Sequence, residues 1–94
     1  MKVEWTEPAW LRLNNLDAYY RQFGPKVAPK LFQRLDEIAR RLGEFPHSGR
    51  PGREDGTREA VVPRTPFIVV YWIRQDEVQI LAVLDAREQW PHFA

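Results

Sequence analysis

Ninety-four residues allow one domain and no linker to a second. With no cysteine, neither a disulfide nor a thiolate metal site can reinforce so small a core. Fourteen basic against thirteen acidic side chains leave a net charge of +1, with both halves near neutral, which counts against a generic phosphate-neutralising grip on DNA or RNA.

Hydrophobic residues make up 44% of the chain, enough to exclude disorder throughout. No apolar run approaches the ~18 residues of a membrane span, and the opening M-K-V-E-W lacks a signal-peptide core. A cytoplasmic location without membrane partners is the expectation.

In chain order, Val3 and Trp5 alternate with Lys2, Glu4 and Thr6, the period-2 pattern of a half-buried strand. Thr6 suits a helix N-cap, with Glu7 and Pro8 in the first turn. Trp10, Leu13, Leu16 or Asp17, Tyr20 and Phe23 then follow three-and-four spacing, giving an amphipathic helix that ends at Gly24. After the Gly24-Pro25 turn, Leu31, Leu35, Ile38, Leu42 and Phe45 form the stripe of a second helix. Pro29 is tolerated only near its start. Lys30, Gln33, Arg34, Glu37, Arg40 and Arg41 form a charged, solvated face. So short a connection predicts an antiparallel helical hairpin.

Residues 43–56 are rich in Gly, Pro and charge and read as a loop. Strands are expected over 57–62, 67–73 and 78–84, the last two joined by a hairpin turn at 74–77. Phe67, Val69, Tyr71 and Ile73 fall on one face of the middle strand, and Ile68, Val70 and Trp72 on the other. In the last strand Val78, Ile80, Ala82 and Leu84 oppose Leu81 and Val83. One sheet face takes the helices. The other is too apolar to stand in water and invites a partner.

Familiar catalytic patterns are missing: no P-loop, no G-x-G-x-x-G, no G-x-S-x-G and no His/Cys cluster. No cofactor or metal site is expected. His47 and His92 each follow a proline and read as solvated loop residues. Arg50, Arg53, Arg58, Arg64 and Arg87 lie in loop, strands and tail, where a guanidinium fork suits phosphate or carboxylate. The alternative is that Arg58 and Arg87 pair with Glu59, Asp85 or Glu88 and only orient the tail.

The order G-R-P-G-x-x-x-G-T-R-E, then P-F-I-V-V-Y, then V-x-I-L-x-V-L-x-x-R-x-x-W-P resembles the ParE branch of the RelE/ParE toxin superfamily, over nearly the whole chain. The resemblance implies a single α+β domain over 1–94, ordered β-α-α-β-β-β, with the helical hairpin packed on a mainly antiparallel twisted sheet. It implies a type II toxin–antitoxin toxin whose cognate antitoxin wraps it with a flexible C-terminal segment, in a higher-order hetero-oligomer. ParE-like members act on DNA gyrase; RelE-like members are ribosome-dependent mRNA endoribonucleases, using basic residues on the sheet and a Tyr or His near the C-terminus. Arg87 matches the arginine after the last strand. Ile68 stands where the nucleases carry a basic residue, and Phe93, without a hydroxyl, stands at the C-terminal aromatic position. These departures favour gyrase binding, with Arg58, Arg64, Arg87, Trp90 and Pro91 as the target-binding surface. The alternatives are a ribonuclease using Arg87 for phosphate and His92 as acid, or a non-toxic antitoxin-binding module.

Overall fold

The computed structural model describes residues 1–93. Strand β1 (Lys2–Trp5) leads into α1 (Glu7–Tyr20), a short 3-10 turn (Arg21–Phe23) and α2 (Val27–Glu44). Strands β2 (Arg50–Pro51), β3 (Arg58–Val61), β4 (Phe67–Arg74) and β5 (Glu77–Asp85) follow. They form one sheet in the order β1-β5-β4-β3-β2, parallel only between β1 and β5. The two helices thus carry the chain across one face, from the β1 edge to the β2 edge. Among the described residues no helix is long and apolar enough to cross a membrane.

The α1 stripe that packs is Ala9, Leu13 and Leu16, with Tyr20 half-buried, one position off the expected start at Trp10. Trp10 is 54% exposed and rests against Trp5, ring centroids 6.0 Å apart. Phe23 also misses the core. It lies in the 3-10 turn, whose tighter winding rotates it off the stripe and onto Tyr19 and Tyr20. Thr6 occupies the N-cap position but does not cap: its hydroxyl and its N–H both donate to the Ile80 carbonyl, at 2.7 and 3.0 Å. It serves the sheet, fixing α1 against β5.

In α2, Leu31, Leu35 and Leu42 are buried as expected and Ile38 is half-buried, with Ala28 and Ala39 completing the face. Pro29 stands in the first turn, where no helical donor is lost. Phe45 falls outside the helix, at its C-cap, and is 57% exposed. The N-terminal ammonium donates to the Gly43 carbonyl at 2.8 Å, tying β1 to the end of α2.

Strand β4 alternates as its sequence indicates, but β5 does not. The pairing runs Val70↔Ala82 and then Tyr71↔Ile80, so a bulge leaves Leu81 unopposed. Val78, Ile80 and Val83 therefore face the helices, while Leu81, Ala82 and Leu84 turn to the second face. That second face does not wait for a partner. The chain's own tail crosses it, and Trp90 and Phe93 pack with Trp72 over Ile68, Val70, Leu81, Ala82 and Leu84.

The β4–β5 turn holds Gln75 and Asp76 at φ 56° and 57°, the double left-handed geometry of a type I′ hairpin. Neither residue suits it as Asn-Gly does. The double substitution Gln75→Asn/Asp76→Gly is expected to raise stability by about 0.5–1 kcal/mol, read as a higher urea midpoint at unchanged m. A lower midpoint would contradict this turn assignment.

Candidate functional site

Residues 50–56, expected to be loop, form a tight hairpin with the start of the expected strand at Thr57 and Arg58. Arg50 and Pro51 pair with Glu59 and Arg58, and the Gly52 N–H donates to the Thr57 carbonyl at 2.8 Å. The Thr57 hydroxyl and N–H both close onto the Glu54 carbonyl. Glu59, only 5% exposed, accepts from Arg50 Nε and Nη2 at 3.1 and 3.0 Å and from the Arg53 N–H at 3.1 Å. A buried carboxylate held by three donors fixes the Arg50 guanidinium and the Arg53 backbone, and these bonds offset its own desolvation.

This hairpin clasps the tail. Arg53 stacks its guanidinium over the Trp90 ring at 3.5 Å from the centroid. The Trp90 indole N–H donates to the Asp85 carbonyl at 3.0 Å. Glu54 takes His92 Nδ1 at 2.8 Å on one oxygen and the Phe93 N–H at 3.0 Å on the other. Between clasp and sheet lies a cavity of about 260 Å³, floored by Val70 and Thr57.

Arg58 works inside the scaffold. Its Nη1 donates to the carbonyls of Gly49 and His47, at 2.8 and 3.2 Å. Beside it the fully buried Tyr71 hydroxyl accepts from the Gly49 N–H at 2.9 Å and donates to the Pro46 carbonyl at 2.8 Å. Burial pushes the phenol's pKa up, partly offset by the Gly49 bond and the Arg58 charge.

Arg87 grips Asp85 with both arms of its fork, Nε to Oδ1 at 3.0 Å and Nη2 to Oδ2 at 2.8 Å, and adds its backbone N–H at 2.8 Å. Those side-chain bonds first, and the backbone bond next, hold the Asp85 carboxyl down at about 2, below its ordinary 3.8. Because the folded value lies below the unfolded one, this contribution is complete above about 3.8 and lost as pH falls through about 2. Arg87→Ala should return the Asp85 titration toward 3.8, followed by carboxyl NMR shifts; a midpoint staying near 2 would refute the assignment. Next to this pair, Arg12 bonds the Val83 carbonyl at 3.0 Å and Glu88. Arg12, Tyr19, Tyr20, Phe67 and Arg87 line an open cleft of about 590 Å³ on the helix side.

The five residues singled out in the sequence thus stand in separate places. Arg87 opens to the cleft beside α1, whereas Trp90 packs on the opposite sheet face and Pro91 follows it, exposed. Arg58 holds the loop, and Arg64 sits at the β3–β4 turn beside α2, at φ 63°. His92 meets Glu54, not Arg87, and Ile68 is buried under the tail. The pairing of Arg87 with Asp85 matches the orienting alternative; Glu59 is taken by Arg50 instead of Arg58, and Glu88 by Arg12. Arg53 stands in the sequence only as one of five arginines outside the helices, Tyr71 only as one of the apolar-face residues of β4, and Glu54 carries no signal beyond lying in the Gly/Arg-rich loop. Among the described residues no group of three or more His, Asp or Glu side chains is placed to hold a metal ion.

Known proteins resemble this chain in sequence and fold. The family described as "ParE toxin of type II toxin-antitoxin system, parDE" matches residues 3–90. The protein named "Putative toxin Y4kP" of Sinorhizobium fredii is 40% identical over 96% of this chain and 93% of its own length. Toxin RelE2 of Caulobacter vibrioides is 31% identical over 90% of this chain and 94% of its own. Among solved structures, the chromosomal ParDE system of P. aeruginosa superposes with a TM-score of 0.78 at 29% identity, covering 88% of this chain and 92% of that one. The toxin–antitoxin complex RelBE2 of Mycobacterium tuberculosis gives 0.63 at 26% identity, covering 87% and 93%. With the family's profile spanning almost every element described above, this chain belongs to the ParE toxin family of type II toxin–antitoxin systems.

Proposed function

We propose that this toxin arrests growth in the cytoplasm by binding DNA gyrase, without cleaving RNA, and that a cognate antitoxin holds it inactive. The observation that carries the first part is the state of the sheet face under the tail. Ile68 lies there among apolar side chains, sealed by Trp90 and Phe93, so the strand itself presents no cation to a scissile phosphate, and the arginines nearest that face, Arg53 and Arg74, are stacked on Trp90 and Trp72. Arg87 is neutralised by Asp85 and lines a different depression from His92. A general acid whose one neighbouring arginine in the cavity, Arg53, is engaged on the Trp90 ring makes a poor nuclease. The helix-side cleft, with Tyr19 and Tyr20 beside Arg12 and Arg87, has the aromatic and arginine composition of a protein-binding hot spot.

For the antitoxin, support comes from the similar solved structures, which are a ParDE system and a RelBE2 complex. Exposed Phe45, Val61 and Phe23 remain outside the core as apolar area that such a partner could cover in a higher-order complex. The test is a supercoiling and cleavage assay with purified gyrase and purified toxin. Inhibition is expected from the wild type and should weaken in a folded Tyr19→Ala/Arg87→Ala variant. Gyrase untouched by the wild type, with ribosome-bound mRNA cut instead, would overturn the reading.

A further inference from the structure

The two helices differ in what they show to water. The outer side of α2 carries Lys30, Asp36, Glu37, Arg40, Arg41 and Glu44, all exposed. In α1, by contrast, every exposed residue from Pro8 to Tyr19 is uncharged, Trp10, Leu11, Asn14 and Ala18 among them. The two charged residues of that stretch, Arg12 and Asp17, are half-buried and bonded to Glu88 and Arg21. Leu11, Asn14 and Ala18 fall at i, i+3 and i+7, a stripe opposite the packed side of Ala9, Leu13 and Leu16. Leu11 is 57% exposed, and the stripe lies outside the Arg87 cleft, which takes Asn15 and Tyr19 on its flank. A helix without a charged outer side has the pattern of one covered on both sides. The sheet covers only one.

We propose that this outer stripe of α1 pairs with the same stripe of a second copy of the chain, the helices running antiparallel about a two-fold axis at Asn14. Charge selects that occupant. Glu7 opens the helix and Arg21 follows its last turn, so opposite signs stand seven residues either side of Asn14. An antiparallel copy brings each Glu7 to the Arg21 of the other and sets each helix end beside its opposite. A parallel copy would set like charges together at both ends. Asp17 engages Arg21 through Nε and Nη2, both at 2.9 Å, which leaves Nη1 of the fork for the incoming carboxylate. At the axis Asn14 meets its own copy, and two identical carboxamides can each donate and accept. On either side Leu11 meets the small Ala18 of the second copy, large against small. A nucleic acid would find no cation along the stripe. A 14-residue helix is about 21 Å long, so the contact is smaller than a standard interface and the dimer is weak, with a Kd of about 10–100 µM. The pairing rests on neither the gyrase nor the antitoxin reading.

The experiment uses the full chain. Sedimentation equilibrium from about 5 to 500 µM, a range that brackets this Kd, should carry the average mass from one chain toward two. Ala18→Glu should raise the Kd by about tenfold or more, since each copy then buries a carboxylate against Leu11. Glutamate is a good helix former at an exposed position, and thermal melting checks the fold. Arg21→Glu alone should raise the Kd about threefold or more, and adding Glu7→Arg should restore it, because the two ends then exchange signs. A second measurement needs no change of charge. The chain has no cysteine, so Asn14→Cys introduces a single thiol. Mild oxidation should join pairs of Asn14→Cys chains, whereas Gln22→Cys, roughly 24 Å from its own copy along the helices, should stay unlinked. A chain still monomeric at the highest concentration, a dimer indifferent to Ala18→Glu, or equal cross-linking at positions 14 and 22 would overturn the proposal. So would a monomer that sediments with phosphatidylcholine/phosphatidylglycerol vesicles and loses them on Leu11→Ala, which would give the stripe to a membrane surface.

Discussion

Gly49→Ala should destabilise the protein by about 2–3 kcal/mol, which for a domain of this size is a fall in Tm of roughly 10–20 °C. A Cβ at Gly49 would stand 2.5 Å from the Tyr71 hydroxyl, 2.8 Å from its ring and 2.9 Å from the Glu59 carbonyl. None of these neighbours can yield cheaply. Tyr71 is fully buried and bonded on both sides of its hydroxyl, and the Glu59 carbonyl is part of the sheet. Tyr71→Phe alone should cost about 1–3 kcal/mol, because the Gly49 N–H and the Pro46 carbonyl lose their partner in a buried site. The two changes share one contact, so the double variant should cost less than their sum by at least about 0.5 kcal/mol. Urea denaturation of all four proteins measures this. Strict additivity, or a Gly49→Ala variant as stable as the wild type, would show that the loop does not sit on Tyr71 as described.

Trp90→Ala is expected to cost about 2–3 kcal/mol, the lower part of the range for a large aromatic because the ring is half-buried. Three things go together: the indole bond to the Asp85 carbonyl, the stacking of Arg53, and the cover over Leu81, Leu84 and Ile68. The consequence reaches beyond stability. With the tail loosened, the second sheet face becomes an exposed apolar patch, which should bind a hydrophobic dye and tend toward association. Amide exchange should rise first across residues 90–93 and the 50–56 hairpin, which meet only through the clasp. Unchanged exchange in that hairpin would mean that tail and loop are independent. Since the gyrase reading uses the opposite side of the sheet, inhibition by surviving folded Trp90→Ala protein should persist.

Much of the architecture can be read from periodicity, because burying one face of a helix or strand leaves a regular trace. Leu31, Leu35 and Leu42 announce α2, and the two faces of β4 alternate without interruption. What escapes is set by single backbone events. The bulge at Val70/Tyr71 moves Ala82 and Leu84 to the other face, although their spacing is that of an uninterrupted strand. Two-residue β2 is too short to leave a pattern, and it exists because glycines at 49 and 52 let the loop approach the sheet. The cover on the second face comes from Trp90 and Phe93, in a tail beyond the last periodic element, so the apolar strand faces alone suggest a missing partner where the chain supplies its own.

The candidate site is less legible still, for a physical reason. Composition gives the number of arginines but not which carboxylate each one meets. Asp85 and Arg87 are two residues apart and could be paired by proximity; Arg12 and Glu88 are separated by most of the chain. Arg34, Arg41 and Arg64, which among the described residues meet neither a carboxylate nor a ring, are distinguishable from a solvated surface only once the β3–β4 turn is seen against α2.

The most direct test of the central claim is a pulse-labelling time course after inducing this chain alone in bacteria, with DNA and protein synthesis followed side by side. A toxin that binds gyrase should depress DNA synthesis first and raise a DNA-damage response, with His92→Ala as toxic as the wild type. Protein synthesis falling first, with toxicity abolished by His92→Ala, would contradict the account.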